Sequence, residues 1–346
     1  MFHFHFLQKA LKVEEKIDEL IQRGRDEKVF TRGAVGICFE ETVIVGERNR
    51  DCFFDLASLT KVLVTFPLIL RLLNEKISID DEIGNYLPVP GPAKDIKISE
   101  LLSHTSGLPS WKPFYKDTDP ENPDVKRIRE RIMMTVPLHK RGSRLYSDIG
   151  FMWLGFLIET LTGLSLSDAF GFFFPEFARK IFFIPLHAEV DKKKFVPTGY
   201  CSWRKRRIRG EVHDENAYAL GGIAGHAGCF STVEGVCYFC QEMLRGFNGK
   251  SQVFPLSKLE IFVKEKDEKK VLLGWDYPEG VKSTAGRYFS DFTIGHLGFT
   301  GTSIWIDIKR GIGVVLLTNR TIYGKNNQKI NSYRRFFHNE LVRAII

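Results

Sequence analysis

The spacing of apolar residues predicts a helix at the start of the chain and two strands after it. The apolar positions of the helix lie three or four residues apart and therefore share one face. They are Ala10, Val13, Ile17, Leu20 and Ile21. Two β-branched stretches bounded by glycine follow over Gly33–Glu40 and Glu41–Glu47, and we expect both to be strands.

From Ser58 to about Gly228 the chain carries mostly helical and loop patterns. The expected helices cover Leu59–Asn74, Ser99–Ser103, Pro123–Met134 and Asp148–Thr162. A capping box, Ser231-Thr232-Val233-Glu234, predicts the start of a further helix that runs to about Phe247.

Strand patterns return in the last quarter of the chain. They cover Val271–Trp275, Gly286–His296, Ser303–Ile308 and Gly311–Asn319, and a tight turn at Lys309–Gly311 joins the last two. A final helix is expected to turn four apolar residues inward, namely Ile330, Tyr333, Phe337 and Leu341.

Strands near both ends and helices between them predict an α/β (α+β) protein. Because short turns join consecutive strands, we expect an antiparallel sheet flanked by the N- and C-terminal helices. The sheet lobe is assigned to residues 1–57 and 229–346, and residues 58–228 are assigned to an inserted, mainly helical lobe. A cleft between the two lobes is the expected ligand site.

Composition places the 346-residue chain among globular proteins. Hydrophobic residues make up 43% and charged residues 27%, which argues against a disordered chain. No window holds the roughly 18 consecutive apolar residues of a membrane helix. The start of the chain lacks the basic n-region of a signal peptide, so we expect a cytoplasmic protein without a membrane span.

The chain is basic, with 50 Lys and Arg against 42 Asp and Glu and a net charge of +8. Its densest basic patch covers Arg204–Arg209, with Trp203 as the aromatic neighbour. Sites for single-stranded nucleic acid interleave aromatic with basic residues. We therefore favour a solvated basic edge over a polyanion site and expect no nucleic-acid partner.

Neither the cysteines nor the acidic and histidine clusters predict a metal site. Cys237 and Cys240 have the spacing of half a zinc site, but they lack a second pair and fall on an apolar helical stripe, which indicates core thiols. The cluster His213-Asp214-Glu215-Asn216 would point alternately to opposite faces of a strand, and no second cluster completes it.

Ser58 and Lys61 stand where strand-like sequence gives way to a helix. Residues three apart share a face in the first helical turn, so the amine of Lys61 can reach the hydroxyl of Ser58. A serine becomes a useful nucleophile when a base takes its proton, and a helix start offers free N–H groups for an oxyanion. The pattern S-x-x-K is weak alone, because Ser202 and Lys205 match it too.

Two further motifs carry groups suited to the same chemistry. Tyr146-Ser147-Asp148 places a phenol on a loop before a helix, and His296-Leu297-Gly298 ends a predicted strand with a glycine that admits a substrate. Tyr115-Lys116-Asp117 imitates the first motif and His226-Ala227-Gly228 the second. Order, spacing and context select Ser58, Tyr146 and His296.

These motifs resemble the serine β-lactamase and penicillin-binding protein family, whose signature is S-x-x-K, then Y-x-N, then K-T-G or H-x-G. The resemblance is closest to the class C β-lactamase-like branch of esterases and D-amino-acid peptidases. Longer stretches also match that family in its order, between about Ala34 and Arg320. They are Phe54–Lys61, Ile79–Pro88, Leu101–Leu108, Ala224–Thr232 and Gly295–Thr302.

The resemblance implies a β-lactamase/transpeptidase-like fold and a serine hydrolase that uses no cofactor or metal. Ser58 matches the nucleophile that forms an acyl-enzyme, and Lys61 matches the lysine that helps to deprotonate it. Tyr146 matches the tyrosine that shuttles protons to the leaving group and activates the hydrolytic water. The backbone N–H groups of Ser58 and Phe299 would form the oxyanion hole.

Substrate contacts are expected from Asp148, His296 and Gly298, and the first two depart from the family pattern. Asp148 replaces asparagine and, by pairing with Lys61, would raise the pKa of that lysine and oppose its role as a base. His296 replaces the lysine of true β-lactamases with a group that titrates near 6.5. Both changes favour a small ester, an amide or a peptide as substrate over a penicillin.

Two other interpretations stay open. A non-turnover penicillin-binding or sensor protein would share the fold but stay acylated, and a polyanion-binding protein would use Arg204–Arg209 beside a decayed site.

Three other polar residues have structural explanations. A helix-ending turn capped by Gly107 explains the presence of His104 and Ser106. For His226, a structural hydrogen bond and a place at the cleft are equally good explanations.

Overall fold

The computed structural model describes residues 2–261 and 272–346, with side chains from residue 11 onward except at residue 281. The strands are β1 (Gly33–Cys38), β2 (Val43–Val45), β3 (Phe54–Asp55), β4 (Ile181–Phe183), β5 (Gly199–Cys201), β6 (Arg206–Ile208), β7 (Cys229–Ser231), β8 (Thr293–Leu297), β9 (Ser303–Asp307) and β10 (Ile312–Thr318).

The α-helices are α1 (Phe2–Asp26), α2 (Phe66–Leu72), α3 (Ile98–Leu102), α4 (Val125–Met133), α5 (Asp148–Thr162), α6 (Leu166–Phe173), α7 (Pro175–Ala178), α8 (Glu215–Ala219), α9 (Val233–Phe247) and α10 (Lys329–Ile345). Residues 256–261 are also helical. No single helix of the described residues has the length and apolar character to cross a membrane, although the bent pair α5–α6 meets the criterion jointly.

The main sheet is antiparallel and draws its strands from both ends of the chain. Its order is β2-β1-β10-β9-β8, and its register pairs Ile37 with Val314 and His296 with Ile304. Two smaller antiparallel sheets, β3-β7-β4 and β5-β6, lie outside it. The prediction of a mixed fold with an antiparallel sheet and flanking terminal helices is confirmed.

Alternation along β1 determines which helices cover each face of the main sheet, because successive strand residues point to opposite sides. Val35 and Ile37 join the apolar residues of α1 and α10, including Phe337, in one cluster. Ala34 and Cys38 belong to the cluster that contains Cys237 and Cys240 of α9. Burying an apolar side chain of this size contributes about 1.5–3 kcal/mol.

Helix α5 is the longest helix of the segment between β3 and β7. Its residues from Ile149 to Ile158 are all buried, as expected for a helix that is apolar on every side. Gly163 ends the helix in the left-handed conformation, with φ of +71°. The predicted bounds of this helix, Asp148 and Thr162, are those observed.

Two helical elements differ from their predictions. The segment predicted as one helix from Leu59 is a 3-10 turn (Ala57–Leu59), a π-helical turn (Lys61–Thr65) and then α2. Thr232 caps α9 in place of Ser231, because the Ser231 hydroxyl donates to the Lys180 carbonyl.

One strand prediction was too long and another was wrong. The strand expected over Gly286–His296 begins at Thr293, and bends occupy much of the stretch before it. Of the strand expected over Val271–Trp275, Val271 lies outside the described residues and residues 272–275 are not in a strand. Asp276, next in the chain, forms a bridge with Gly295 of β8.

The basic segment Arg204–Arg209 is not a solvated edge throughout. Arg204 is 3% exposed and donates to the carbonyls of Val212 and His213. Arg206 pairs with Glu211, and Arg209 donates to the Phe195 carbonyl. The interpretation as a solvated edge is wrong for Arg204, because backbone carbonyls and not water receive its hydrogen bonds.

Candidate active site

Ser58 lies in a strained turn between β3 and the helical segment after it. Its neighbour Ala57 has a φ of +48°, which is uncommon for a residue with a side chain. Asp55 accepts a hydrogen bond from the Ala57 N–H at 2.8 Å, and the Thr60 hydroxyl donates to the Ala57 carbonyl at 2.7 Å. Such conformations cost on the order of 1–3 kcal/mol and persist where their surroundings impose them.

Lys61 connects Ser58 to two other segments of the chain. Its side chain is fully buried, and its amine donates to Ser58 Oγ at 3.1 Å and to Asp148 Oδ1 at 2.7 Å. A third hydrogen bond reaches the His226 carbonyl at 3.0 Å. A lysine ammonium has three N–H donors, so each of them has a partner.

The loop that carries His226 approaches closely because Gly225 has no side chain. A Cβ at Gly225 would lie 2.2 Å from the carbonyl oxygen of Phe151 in α5. The Thr65 hydroxyl donates to the Gly225 carbonyl at 2.6 Å, one residue before the carbonyl that receives Lys61. The loop is therefore fixed against both the π-helical turn and α5.

Tyr146 and Asp148 flank Ser147, the N-cap of α5. The Ser147 hydroxyl accepts a hydrogen bond from the Gly150 N–H at 3.2 Å, and the Ser147 N–H donates to His104 Nδ1 at 3.0 Å. The rings of His104 and Tyr146 lie 4.5 Å apart between centres. His104 thus holds the loop that presents Tyr146, a structural role of the kind expected from the sequence.

Asp148 and burial set the charge state of this cluster. Burial alone would lower the pKa of Lys61, but Asp148 and Tyr146 outweigh burial and the pKa is raised. Burial raises the pKa of Tyr146 to about 12, although Lys61 opposes the shift. At neutral pH the resting site therefore holds an ammonium group and a neutral phenol.

His296 lies in β8 with its ring centre 5.9 Å from that of Tyr146. It is 2% exposed, and its Nδ1 lies 2.9 Å from the Leu297 carbonyl. Burial lowers its pKa to about 4, and the charge of Lys61 adds to this. The expectation of a group that titrates near 6.5 is wrong, because this imidazole is buried beside a cation and stays neutral.

The turn after β8 packs directly on Asp55 and Leu56, the residues that precede the Ser58 turn. A Cβ at Gly298 would lie 1.9 Å from Thr302 Oγ1, so a side chain there would displace this contact. The Thr300 hydroxyl donates to the Asp55 carbonyl at 2.8 Å, and the Thr302 hydroxyl donates to the Leu56 carbonyl at 3.1 Å. These hydrogen bonds set the position of Phe299 relative to Ser58.

Two arginines donate hydrogen bonds to carbonyl groups of the same turn. Arg334 donates to the Gly298 and Thr302 carbonyls at 2.7 and 2.6 Å, and Arg320 donates to the Phe299 carbonyl at 2.7 Å. Within the described residues, the Phe299 N–H takes no part in the backbone hydrogen bonds of this turn. No sequence pattern indicated that these arginines support the site.

A cavity of about 420 Å³ opens beside Ser58. It is lined by Ala57, Ser58, Ser110, Trp111, Tyr146, Asp148, His213, Asp214, Glu215, His226, Ala227, Phe299, Thr300 and Lys325. Of the predicted substrate contacts, Asp148 lines this cavity, whereas His296 and Gly298 lie next to lining residues. Trp111 and Lys325 are lining residues that sequence patterns did not single out.

The cluster His213–Asn216 contributes three lining residues to the cavity, namely His213, Asp214 and Glu215. It is not a strand, as the sequence suggested, but the entry to α8, with Asp214 as the N-cap. Asp55 accepts a hydrogen bond from the His213 N–H at 2.6 Å, so one carboxylate joins this cluster to the turn before Ser58. Burial raises the pKa of Asp55 to about 6, although both N–H donors oppose the shift.

Comparison with known proteins identifies the family. The model of the Beta-lactamase family matches residues 18–338, which is most of the chain. The chain belongs to the β-lactamase family. It is a serine hydrolase, in accord with the hydrolase names of its relatives.

Among curated proteins, the chain is 29% identical to an N-acetylmuramyl-L-alanine amidase of Bacillus subtilis (strain 168), over 90% of this chain and 82% of that protein. It is 30% identical to a putative D-alanyl-D-alanine carboxypeptidase of Escherichia coli (strain K12), over 77% of this chain and 69% of that protein.

Solved structures share the fold. EstCE1, a hydrolase with promiscuous acyltransferase activity, has a TM-score of 0.69 at 20% identity and covers 94% of this chain and 99% of its own. A class C β-lactamase in complex with cefoxitin has a TM-score of 0.67 at 16% identity, with 94% and 99% covered. A penicillin-binding protein homologue from Pyrococcus abyssi, described as octameric, has a TM-score of 0.66 at 17% identity, with 88% and 73% covered.

Proposed function

We propose that the protein hydrolyses an amide, peptide or ester bond through an acyl-enzyme on Ser58. The observation that carries this proposal is the 3.1 Å contact between Lys61 Nζ and Ser58 Oγ at the wall of a cavity. Covalent catalysis divides acyl transfer into two easier steps, provided that the nucleophile has a base within hydrogen-bond reach. Lys61 in its amine form is that base for Ser58.

In the first step Ser58 Oγ attacks the substrate carbonyl and its proton passes to Lys61. The N–H groups of Ser58 and Phe299 stabilise the oxyanion, and Tyr146 gives its proton to the leaving group and takes the proton that Lys61 received from Ser58, so that Lys61 returns to its amine form. Removing one donor from such a site in other enzymes typically costs on the order of 10²–10³ in rate. Thr300 and Thr302 donate hydrogen bonds to the carbonyls of Asp55 and Leu56, shortly before Ser58, and these contacts hold the two N–H donors in fixed positions relative to each other.

The substrate class that we infer is an amide or a peptide. The neutral imidazole of His296, next to the lining residues, offers no fixed positive charge of the kind that a lysine would give to the carboxylate of a penicillin. Lys325 also lines the cavity, but it forms an ion pair with Glu215. The names of the curated relatives, an amidase and putative carboxypeptidases, favour amide bonds of D-alanine-containing or muramyl peptides.

The test is the intact mass of the protein after acid quenching of a reaction with a p-nitrophenyl ester. We expect one acyl increment on the wild type, with continued release of nitrophenol, and none on Ser58→Ala. An increment that persists without turnover would favour the sensor interpretation. An equal increment on Ser58→Ala would place the nucleophile elsewhere. Muramyl and D-alanyl-D-alanine peptides then rank the natural substrates by kcat/KM.

A further inference from the structure

Trp111 is an exposed aromatic side chain that lines the cavity beside Ser58. Of the five tryptophans of the chain, all within the described residues, it alone is exposed, with 45% of its surface accessible. An indole left in water forgoes the favourable free energy that burial of its apolar surface would supply. A substrate group that enters the cavity can bury this surface.

The backbone just before Trp111 is attached to the start of α5. The Ser147 hydroxyl donates a hydrogen bond to the Pro109 carbonyl at 2.7 Å. The Asp148 N–H donates to the Ser110 carbonyl at 2.9 Å. Because these two residues of the α5 start flank or belong to the catalytic cluster, the position of the indole is set by the same segment that presents the catalytic groups.

The backbone just after Trp111 is attached to α8. The Asn216 side chain donates to the Lys112 carbonyl at 2.8 Å and accepts a hydrogen bond from the Tyr115 N–H at 3.2 Å. The Tyr115 ring lies 6.4 Å from the Trp111 ring and 4.9 Å from the Trp203 ring, measured between ring centres. The exposed indole is therefore held in place from both sides, and a ligand that packs on it has little chain to order.

The rest of the lining offers apolar surface and paired charges. Phe299, 46% exposed, is a second accessible aromatic side chain of the cavity. Each acidic side chain of the lining already has a basic partner. The pairs are Asp148 with Lys61, Asp214 with His226, and Glu215 with Lys325. An ionised substrate group would lose water here and compete with these pairs for a counter-charge, which is costly, whereas an uncharged apolar group meets no such penalty.

We propose that the cavity binds a large, uncharged, apolar acyl group and that Trp111 is the residue that selects it. This inference rests on the proposed function, because the acyl group is the part of the substrate that stays on Ser58 after the leaving group departs. Contact between the acyl group and the indole removes apolar surface of both partners from water. Trp111 thus determines which acyl groups react and takes no part in the proton transfers.

The test varies the acyl group of p-nitrophenyl esters and keeps the leaving group constant. Each kcat/KM is divided by the rate constant of the same ester in hydroxide, which removes the intrinsic reactivity. The wild type should then prefer phenylacetate to acetate by about 10-fold or more, the effect expected from burial of a phenyl ring. Because two esters are compared on one protein sample, a partial loss of folded protein cancels from the ratio.

Three variants assign this preference to the indole. In Trp111→Ala the ratio of phenylacetate to acetate should fall about 5–10-fold, because the aromatic surface is removed. Trp111→Phe keeps an aromatic ring and should retain most of the preference. The control is Phe172→Ala, which changes an exposed aromatic residue of α6 outside the lining and should keep the wild-type ratio.

A third ester adds a charge to the same ring. The 4-carboxyphenylacetate ester should react about 10-fold or more slowly than the phenylacetate ester, since its carboxylate would leave water without a free counter-charge. A preference for the carboxylated ester would overturn the proposal, and so would an equal ratio of phenylacetate to acetate in wild type and Trp111→Ala. Acylation of Ser58 without any preference among the esters would overturn this inference alone. Absence of any adduct on Ser58 would overturn the proposed function as well.

Discussion

The chain contains the pattern S-x-x-K twice, and the two copies have different surroundings. Ser58 and Lys61 lie at the start of a 3-10 and π-helical segment, with the lysine side chain fully buried. Ser202 and Lys205 lie in the turn between β5 and β6, where both are exposed and Lys205 has a φ of +52°. The pattern is the same, but among the described residues only in the first copy does the lysine donate a hydrogen bond to the serine.

The difference shows that chemistry depends on what the rest of the chain supplies. Lys61 is held by Asp148 and the His226 carbonyl, which lie 87 and 165 residues away in sequence. A surface lysine keeps its water shell and its rotamer freedom, so nothing holds it against a neighbouring serine. The following predictions test this contrast, from the largest expected effect to the smallest.

Replacement of the two serines should separate the copies most clearly. Ser58→Ala should lower kcat/KM for a p-nitrophenyl ester by about 10³-fold or more, because it removes the attacking atom. Ser202→Ala should leave the rate within about twofold of wild type, since surface substitutions have small effects. Stopped-flow release of nitrophenol measures both. Comparable losses in the two variants would contradict the assignment of the nucleophile.

Replacement of the two lysines tests the base. Lys61→Met should keep the buried volume but lower the acylation rate by about 10²–10⁴-fold, the usual contribution of a general base. Lys205→Met is the matched control and should acylate like the wild type. Circular dichroism checks that Lys61→Met is folded, because Asp148 loses its partner in that variant. Wild-type acylation by a folded Lys61→Met protein would exclude Lys61 as the base.

The pH dependence tests the effect of Asp148 on Lys61. Because the pKa of Lys61 is raised above its usual value, Lys61 is protonated at neutral pH. Its amine form becomes abundant only as the pH rises into the alkaline range. The acylation rate should therefore increase with pH from neutral into the alkaline range. In Asp148→Asn the increase should move to lower pH by about 1–3 units, since an opposite charge nearby shifts a pKa by that amount.

The measurement is kcat/KM for the ester between pH 6 and pH 11, with the Ser58→Ala protein as the background. The same pH profile in wild type and Asp148→Asn would show that the ion pair does not control acylation. A profile that is flat from neutral to alkaline pH in the wild type would show that Lys61 does not need to lose a proton.

Much of the fold could be predicted because its elements carry strong local patterns. The apolar face of α1, the bounds of α5 and the strands β9 and β10 were clear from periodicity and turn residues. The π-helical turn at Lys61–Thr65 could not be predicted, because tertiary hydrogen bonds such as that from Thr65 to Gly225 stabilise it. The beginning of β8 was placed too early, because its partner β9 determines where pairing starts.

Those residues of the candidate site that belong to sequence motifs could be predicted. The structure brings Ser58, Lys61, Tyr146 and Asp148 together, and family motifs pointed to all four. The burial that keeps His296 neutral is a property of packing, which no local pattern encodes. The same holds for Arg334, whose hydrogen bonds to the turn around Phe299 come from a helix that reads as an ordinary amphipathic segment.

The smallest predicted effect concerns stability and separates buried from exposed histidines. The folded-state pKa of His296 is about 4, below the 6.5 of an unfolded histidine. Its contribution to the free energy of unfolding is therefore present above pH 6.5 and is lost as the pH falls toward 4, because only the unfolded chain then takes up the proton. The loss is on the order of 1–3 kcal/mol. Urea unfolding at pH 7, 6, 5 and 4 should show a shallower decline in His296→Gln than in the wild type. The exposed His139→Gln control should follow the wild type, and an unchanged slope in His296→Gln would mean that this imidazole is hydrated in the folded protein.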